Sequence, residues 1–273
     1  MAISVTNNDG PIDLPPPVDS AQLPPSNDDD IELVIATFSE HMQTSRLNGN
    51  EWRGPLTIEQ YLKREKHLLA QDLTKDGKEV AWLLTSSRLP LDQDGNRSIL
   101  ASCETIPMQA YCAQNGKLKE VLIHGIGSVF TRSEHRGKSY ASRMMTELGK
   151  KLETFQQHNG DRSPFSVLYS DIGQKFYSRF GWQAFASTHI HLAAMTDGDY
   201  QHFSKDLPAV TDLMADDLSS IPATDYLKDD LISVSRSNPA RLSSLWRLIC
   251  PISGGTMHER TLSQRPWADL CPK

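Results

Sequence analysis

The stretch VLIHGIGSVFTRSEHRGKSYASRMM, Val121 to Met145, decides the fold. Val121 to Thr131 read as a strand with Gly125 and Gly127 in mid-run, where a bulge or a close backbone approach is the reason to tolerate glycine. A loop of small and basic residues follows and runs straight into a helix. Tyr140, Met144, Met145, Leu148 and Leu152 recur there at helical spacing, with Lys150 and Lys151 at the end the macrodipole favours. Strand, loop and helix in that order make an anion site, because the first-turn N–H groups have no intrahelical partner and the dipole is positive there. Arg136, Gly137, Lys138, Ser139, Tyr140 and Ala141 supply small residues for backbone approach and two cations, a cradle for pyrophosphate; a solvated surface turn is the plainer alternative.

Working outward, Ile31 onward gives a short strand and a helical stretch, broken at Gly54 and Pro55. Thr57 and Gln60 form a capping box for a second helix carrying Ile58, Tyr61, Leu62 and Leu69 at helical spacing. Glu79 to Ser86 and Arg97 to Ile106 read as a hairpin, and Gln114 to Gly116 as a polar interruption. Downstream, SVLYSD is a strand ending in Asp171, IGQKFYSRFGW a short helix stopped by Gly181, and Phe185 to Leu192 a last strand. Helical hints follow in Asp225 to Val234 and Pro239 to Leu248, and the final residues read as irregular. The order is mixed α/β, in three parts: a disordered Pro/Asp-rich leader at 1–30, a folded domain at 31–195 and a partly helical extension at 196–273.

Composition bounds the chemistry. The chain has 273 residues, 38% hydrophobic and 23% charged, which fits a globular protein and excludes collagen and coiled coil. No apolar run approaches the roughly 20 residues of a membrane span, and the N-terminus lacks a basic start followed by an apolar core, so a cytoplasmic address is expected. With 28 basic against 34 acidic residues, attraction to nucleic acid is not expected. The 4 cysteines lack ligand spacing, so free thiols and no metal are expected.

VFTRSEHRGKSYASRMM resembles the acetyl-CoA signature of the GNAT superfamily of N-acetyltransferases, Arg/Gln-x-x-Gly-x-Gly/Ala, set on Arg136, Ser139 and Ala141, with serine where the family prefers glycine. FYSRFGW is similar to the family's tyrosine-x-x-x-glycine-aromatic segment. From Asn48 to about Leu192 the segments NGNEWRGPLTIEQYLKRE, ILASCETIP and SVLYSDIGQKFYSRFGW resemble the fungal L-lysine N6-acetyltransferases, whose further C-terminal region this chain holds in shortened form. The resemblance implies a GNAT fold: a central mixed, mostly antiparallel sheet, helices on both faces, and strands splayed at the acetyl-CoA site. It implies transfer of acetyl from acetyl-CoA to the side-chain amine of free lysine or a related small amine; a protein lysine, a polyamine, or binding without turnover are the alternatives. It further implies that Ser128, Val129, Phe130 and Thr131 bind the pantetheine arm and that Tyr177 is the general acid, against a packed tyrosine among Phe176, Phe180 and Trp182.

The base has candidates only. Glu104 lies in a strand otherwise of small and apolar residues, where a carboxylate needs a reason, though an edge-strand carboxylate facing water is an alternative. His124 has suitable chemistry near neutral pH, but a lone strand histidine is more often packed. Asp171 is either a ligand for substrate ammonium or a cap of the next helix. Trp52 is a packing anchor or a wall of the substrate pocket.

Overall fold

A computed structural model describes residues 16–170, 172–185, 223–237, 243–246 and 261–266, with Met214 and Asp217. Strand β1 (Ile31–Ile35) pairs antiparallel with β2 (Val80–Ser86), Ile31 opposite Ser86. Strand β2 pairs likewise with β3 (Ala101–Gln114), Ala81 opposite Glu104. The polar interruption proves to be a tight turn. Asn115 and Gly116 take φ of 52° and 73°, the left-handed pair that a two-residue hairpin requires, and the chain returns as β4 (Lys117–Phe130). The first connection is a helical pair, α1 (Phe38–Trp52) and α2 (Ile58–Leu68), each opened by a capping box, Thr37 with Glu40 and Thr57 with Gln60.

Helix α3 (Tyr140–Lys151) leads to β5 (Phe165–Ser170), which runs parallel to β4, then come the short α4 (Gln174–Ser178) and β6 (Gln183–Phe185). The expected last strand therefore begins at Gln183, two residues early, and 186–192 lie outside the described residues. Sheet order is β1-β2-β3-β4-β5-β8-β6, where β8 is Thr261–Pro266, antiparallel to both β5 and β6. The final residues were expected to be irregular, and TLSQRP has no apolar run to announce a strand. Its backbone instead pairs with rows of β5 and β6 donors that would otherwise be bare.

The core lies between sheet and α3. Trp82, Cys103, Ile126 and Leu168 meet Tyr140, Met144, Met145 and Leu148 there. Glu104, alternating with Cys103, faces the other way and meets His41 of α1, so helices cover both faces. Residues 16–30 depart from the expected disorder. Val18 and Leu23 of this strap pack on the core, the Tyr140 hydroxyl donates to the Pro24 carbonyl at 2.5 Å, and turns at Asp19 and Pro25 take up the Gln22 and Asp28 N–H groups.

The described residues form two compact units: 16–109, 121–185 and 261–266 make one, and the hairpin tip 110–120 with 223–237 and 243–246 the other. In the second, α5 (Ala223–Ser237) seats the Ser235 hydroxyl on the Gly116 N–H at 3.0 Å, and β7 (Ser243–Trp246) pairs antiparallel with Ala110–Ala113. Within the stretch expected to be helical, Pro239 to Leu248, the described residues Ser243–Trp246 are instead strand, cross-strand pairing having overridden local helical spacing, and the others lie outside the described residues. No described helix is long and apolar enough to cross a membrane.

Helix α1 is tied down by a buried ion pair. Glu40 is 1% exposed and accepts from the Arg97 side chain at 2.7 Å and from its backbone N–H at 2.9 Å. The Arg97 bonds outweigh desolvation and hold the Glu40 carboxyl down to about 2. A depressed folded-state pKa contributes stability that is present above the unfolded value and lost as pH falls through the folded one. Glu40→Gln is therefore expected to cost on the order of 3 kcal/mol at pH 7, and much less by pH 2 to 3, in urea unfolding. A cost independent of pH would mean that packing, not charge, anchors α1.

Candidate active site

Strands β4 and β5 are paired over three residues only, from His124 opposite Ser166 to Ile126 opposite Leu168. Beyond Ile126, β4 continues to Phe130 with β3 on one edge and no strand partner on the other among the described residues, which leaves a gap beside a row of backbone N–H and C=O groups. The turn away is made at Ser128, which adopts φ 51°. The irregularity expected at the two mid-strand glycines lies instead at Ser128, and the glycines have different roles. A Cβ at Gly125 would stand 2.9 Å from Met108 Sδ, a close approach; one at Gly127 would meet nothing within 4 Å, because Gly127 borders open space. At the end of this row the Thr131 hydroxyl is buried with no hydrogen-bond partner among the described residues.

The loop after β4 makes a single 3-10 turn at Ser133–His135 and enters α3 through Gly137 at φ 79° and Ser139 at φ 65°. Ser139 caps α3 in the left-handed conformation without a side-chain hydrogen bond, so the first-turn N–H groups are not claimed by their own cap. That geometry explains why glycine suits the position. Arg136 reaches back, its Nε donating to the Thr131 carbonyl at 2.9 Å and its Nη2 to Glu51 at 3.3 Å, which ties the loop to the last turn of α1. Lys138 is exposed. The Tyr140 ring is buried and its hydroxyl spent on Pro24, which leaves its backbone N–H, with that of Ala141, as the part available to an anion. An orphaned hydroxyl, an unclaimed helix start and an unpaired strand edge fit the phosphates and pantetheine amides of acetyl-CoA.

Glu104 does not stand alone at an edge. His41 Nε2 lies 3.2 Å from Glu104 Oε1 and 3.7 Å from Glu79 Oε1, and the three donor atoms lie within 4.8 Å of one another, a spacing that would also suit a metal ion. Counting from the Asn115-Gly116 turn puts Ile106 across from Gly125, in keeping with the Ile106 carbonyl 3.9 Å from a Cβ built there, and so puts Glu104 beside Gly127. Burial opposes a charged His41, but the Glu104 bond and the fields of Glu104, Glu79 and Glu65 prevail and its pKa is raised. Burial first, then repulsion from Glu104, pushes Glu79 up to about 7, and burial raises Glu65. His41 and Glu79 were missed in the sequence. The available signal was the polar repeat His41, Thr44, Ser45, Asn48 in α1, all buried.

The structure separates the other candidates. His124 is fully buried on the α3 face, its Nε2 3.1 Å from Gln156 Oε1 and its ring 5.9 Å from Phe155, and desolvation lowers its pKa. It does not meet Glu104, which points to the opposite face. Tyr177 is also on the α3 face, 5% exposed, with Phe176 edge-on at 4.9 Å and its hydroxyl bonded to Ser170 at the end of β5; burial raises its pKa. Trp52, 45% exposed at the end of α1, sets its ring against Phe130 at 5.8 Å, beside the gap. Asp171 lies outside the described residues.

Residues 93–185 match the family model of the acetyltransferase (GNAT) domain. The chain is 31% identical over 191 residues to an uncharacterized protein of Saccharomyces cerevisiae, covering 61% of this chain and 46% of that one. It is 30% identical over 180 residues to a lysine acetyltransferase of Yarrowia lipolytica, covering 60% of this chain and 43% of the relative. The chain thus spans less than half the length of these curated relatives. Among solved structures, a GNAT family acetyltransferase from Brucella melitensis in complex with acetyl-CoA is 16% identical with a TM-score of 0.36, covering 56% of this chain and 83% of that one, too loose a likeness to carry an argument.

Ser139 gives a direct test of the loop. Ser139→Gly removes a left-handed serine, and acetyl-CoA affinity by calorimetry is expected to hold or rise, with stability unchanged or higher by up to about 1 kcal/mol. Ser139→Val is expected to lose on the order of 1–2 kcal/mol and to weaken binding. A marked loss of affinity in the glycine variant would make the serine hydroxyl itself a ligand.

Proposed function

We propose that this protein transfers acetyl from acetyl-CoA to the side-chain amine of L-lysine or a related small primary amine. The observation that carries this reading is the gap between β4 and β5 with Ser128 turned out at its start and the uncapped start of α3 at its end. The lysine acetyltransferase of Yarrowia lipolytica, matched at 30% identity, supports the choice of amine.

The bound co-substrate supplies an acetyl thioester, and the chain's residues do the rest. Backbone groups of Ser128 to Thr131 fix the pantetheine arm as an added strand edge, and one N–H there can polarise the carbonyl as charge develops on its oxygen. The loop from Arg136 to Ala141 holds the pyrophosphate by backbone N–H groups and cations. An ammonium with a pKa near 10.4 must lose a proton before attack, and Glu104, beside Gly127, is placed to attract the cation and receive the proton. Tyr177, kept protonated by burial, is the donor for the departing sulfur.

Incubation with acetyl-CoA and a panel of amines, read by thiol release, is expected to show turnover with L-lysine. Acetyl-CoA binding without release on any amine would contradict the proposal. Tyr177→Phe keeps the ring and should lower kcat by on the order of 10²-fold with acetyl-CoA affinity nearly intact; equal turnover would reduce Tyr177 to packing.

A further inference from the structure

We propose that the cavity at the start of α1 is the entrance for the acceptor amine, and that His41, Glu79 and Glu104 at its inner end form one proton-sharing site that holds the acceptor's ammonium group and takes its proton. The inference rests on the acetyltransferase reading above and names the part of the site that binds the second substrate.

The cavity has a volume of about 400 Å³ and is bounded by Ile35, Phe38, Phe155, His41 and Glu79, with Glu104 behind His41. Apolar Ile35, Phe38 and Phe155 line it together with Thr37 and Gln156, and its floor is charged. Ile35 is 50% and Phe38 64% exposed, while the side chains of His41, Glu79 and Glu104 are 10%, 11% and 15% exposed. Such a lining suits methylenes and such a floor suits a cation, which defines the ligand class as a primary ammonium on an unbranched alkyl stem.

Helix α1 fixes where this entrance lies. Thr37 at the helix start lines the cavity, and Glu51 in the last turn bonds Arg136 of the pyrophosphate loop. At about 1.5 Å per residue the two are about 20 Å apart. Acceptor and cofactor therefore approach from opposite ends of α1, and Glu104, beside Gly127 and the open space over it, stands where the two routes meet. A second observation points to a polar ligand on this face. Asn48 Oδ1 of α1 and Ser102 Oγ of β3 are buried with no hydrogen-bond partner among the described residues, and both residues lie on the loop side of His41 and Glu104. Unpaired buried acceptors and donors are costly, and a bound polar molecule would satisfy them.

The proton count suits the task. The groups facing the cluster are His41 from α1, Tyr61, Arg64 and Glu65 from α2, Glu79 preceding β2 and Glu104 from β3. With His41 raised and Glu79 near 7, the shared unit changes its proton content around neutral pH. An N–H proton passes from the alkylammonium to a carboxylate of this unit. The freed lone pair forms the bond to the acetyl carbon, the carbon–sulfur bond breaks, the sulfur takes the Tyr177 proton, and the nitrogen gives up a second N–H proton to solvent to leave the neutral amide. The unit returns its proton to water through the cavity, and Tyr177 is reprotonated from solvent.

The experiment is the pH profile of kcat/KM for L-lysine in the parent, His41→Gln, Glu79→Gln and Phe38→Lys, with NMR titration of the His41 ring in the full chain. Parent activity is expected to rise through a limb near neutral pH, and His41 to titrate above 6.5. Glu79→Gln should lower the His41 midpoint, move the limb to lower pH and raise KM on the order of tenfold. His41→Gln should flatten the limb. Phe38→Lys, at an exposed position, places a cation at the entrance and should raise KM several-fold with kcat unchanged. Unchanged limbs in both folded cluster variants, or a His41 that titrates without response to Glu79→Gln, would overturn the proton-sharing site; an unchanged KM in Phe38→Lys would overturn the entrance. If the parent acetylates no amine, the enzymatic reading has failed instead, and the NMR titration alone judges the cluster.

Discussion

The molecule depends on how few residues β4 and β5 share. A parallel pair of this length could have paired throughout, which would have closed the sheet and buried the β4 edge. Pairing stops at Ile126 and Leu168, and the left-handed Ser128 directs the rest of β4 away. Among the described residues, the cost is one edge of unpaired backbone from Gly127 to Phe130. Such an edge is a template for another strand or for an extended ligand with amides, and the pantetheine arm is a ligand of that kind. The Thr131 hydroxyl, without a partner among the described residues, and the unclaimed first turn of α3 extend the same unsatisfied surface toward the loop from Arg136 to Ala141.

The opposite face of the sheet is organised by α1. Its start is held by Glu40 on Arg97, its end by Glu51 on Arg136, and between them His41 brings two carboxylates together. The buried stripe of α1 is polar, at His41, Thr44, Ser45 and Asn48. Helices usually bury apolar stripes, and a polar one costs desolvation unless something bonds to it. Thr44 and Ser45 bond back to the His41 carbonyl, at 2.8 Å and 3.0 Å, whereas Asn48 Oδ1 is left over. The α3 face has the reverse character, an apolar core that encloses His124 and Tyr177. The gap thus separates a charged face, suited to a cationic acceptor, from an apolar one that keeps a phenol protonated.

Elements with strong local signals were legible in the sequence: the Thr57 capping box, the apolar repeat of α3, the β2 and β3 runs, and the strand, loop and helix around Arg136. Ser139 as a departure from glycine was legible too, and its φ of 65° supplies the physical reason. What escaped depended on distant partners. Strand β8 owes its form to the edges of β5 and β6 rather than to TLSQRP itself, and β7 to the tip of β3. The strap at 16–30 has a disordered composition, yet Val18 and Leu23 on the core, the Tyr140 bond to Pro24 and the ion pairs of Arg88 with Asp28 and Asp30 dock it. Glu104 stood out because a carboxylate in an apolar strand is conspicuous. His41 and Glu79 did not, since only the β2–β3 register and the crossing of α1 bring them beside it.

In the proposed complex the unpaired end of β4 and the start of α3 receive acetyl-CoA. Backbone amide NMR of the full chain, titrated with CoA, tests this placement most directly. The amides of Val129, Phe130 and Thr131 and of Gly137 through Ala141 are expected to shift together with one saturation curve, while those of β1 and β2 stay in place. Saturable binding that leaves both stretches unmoved would contradict it.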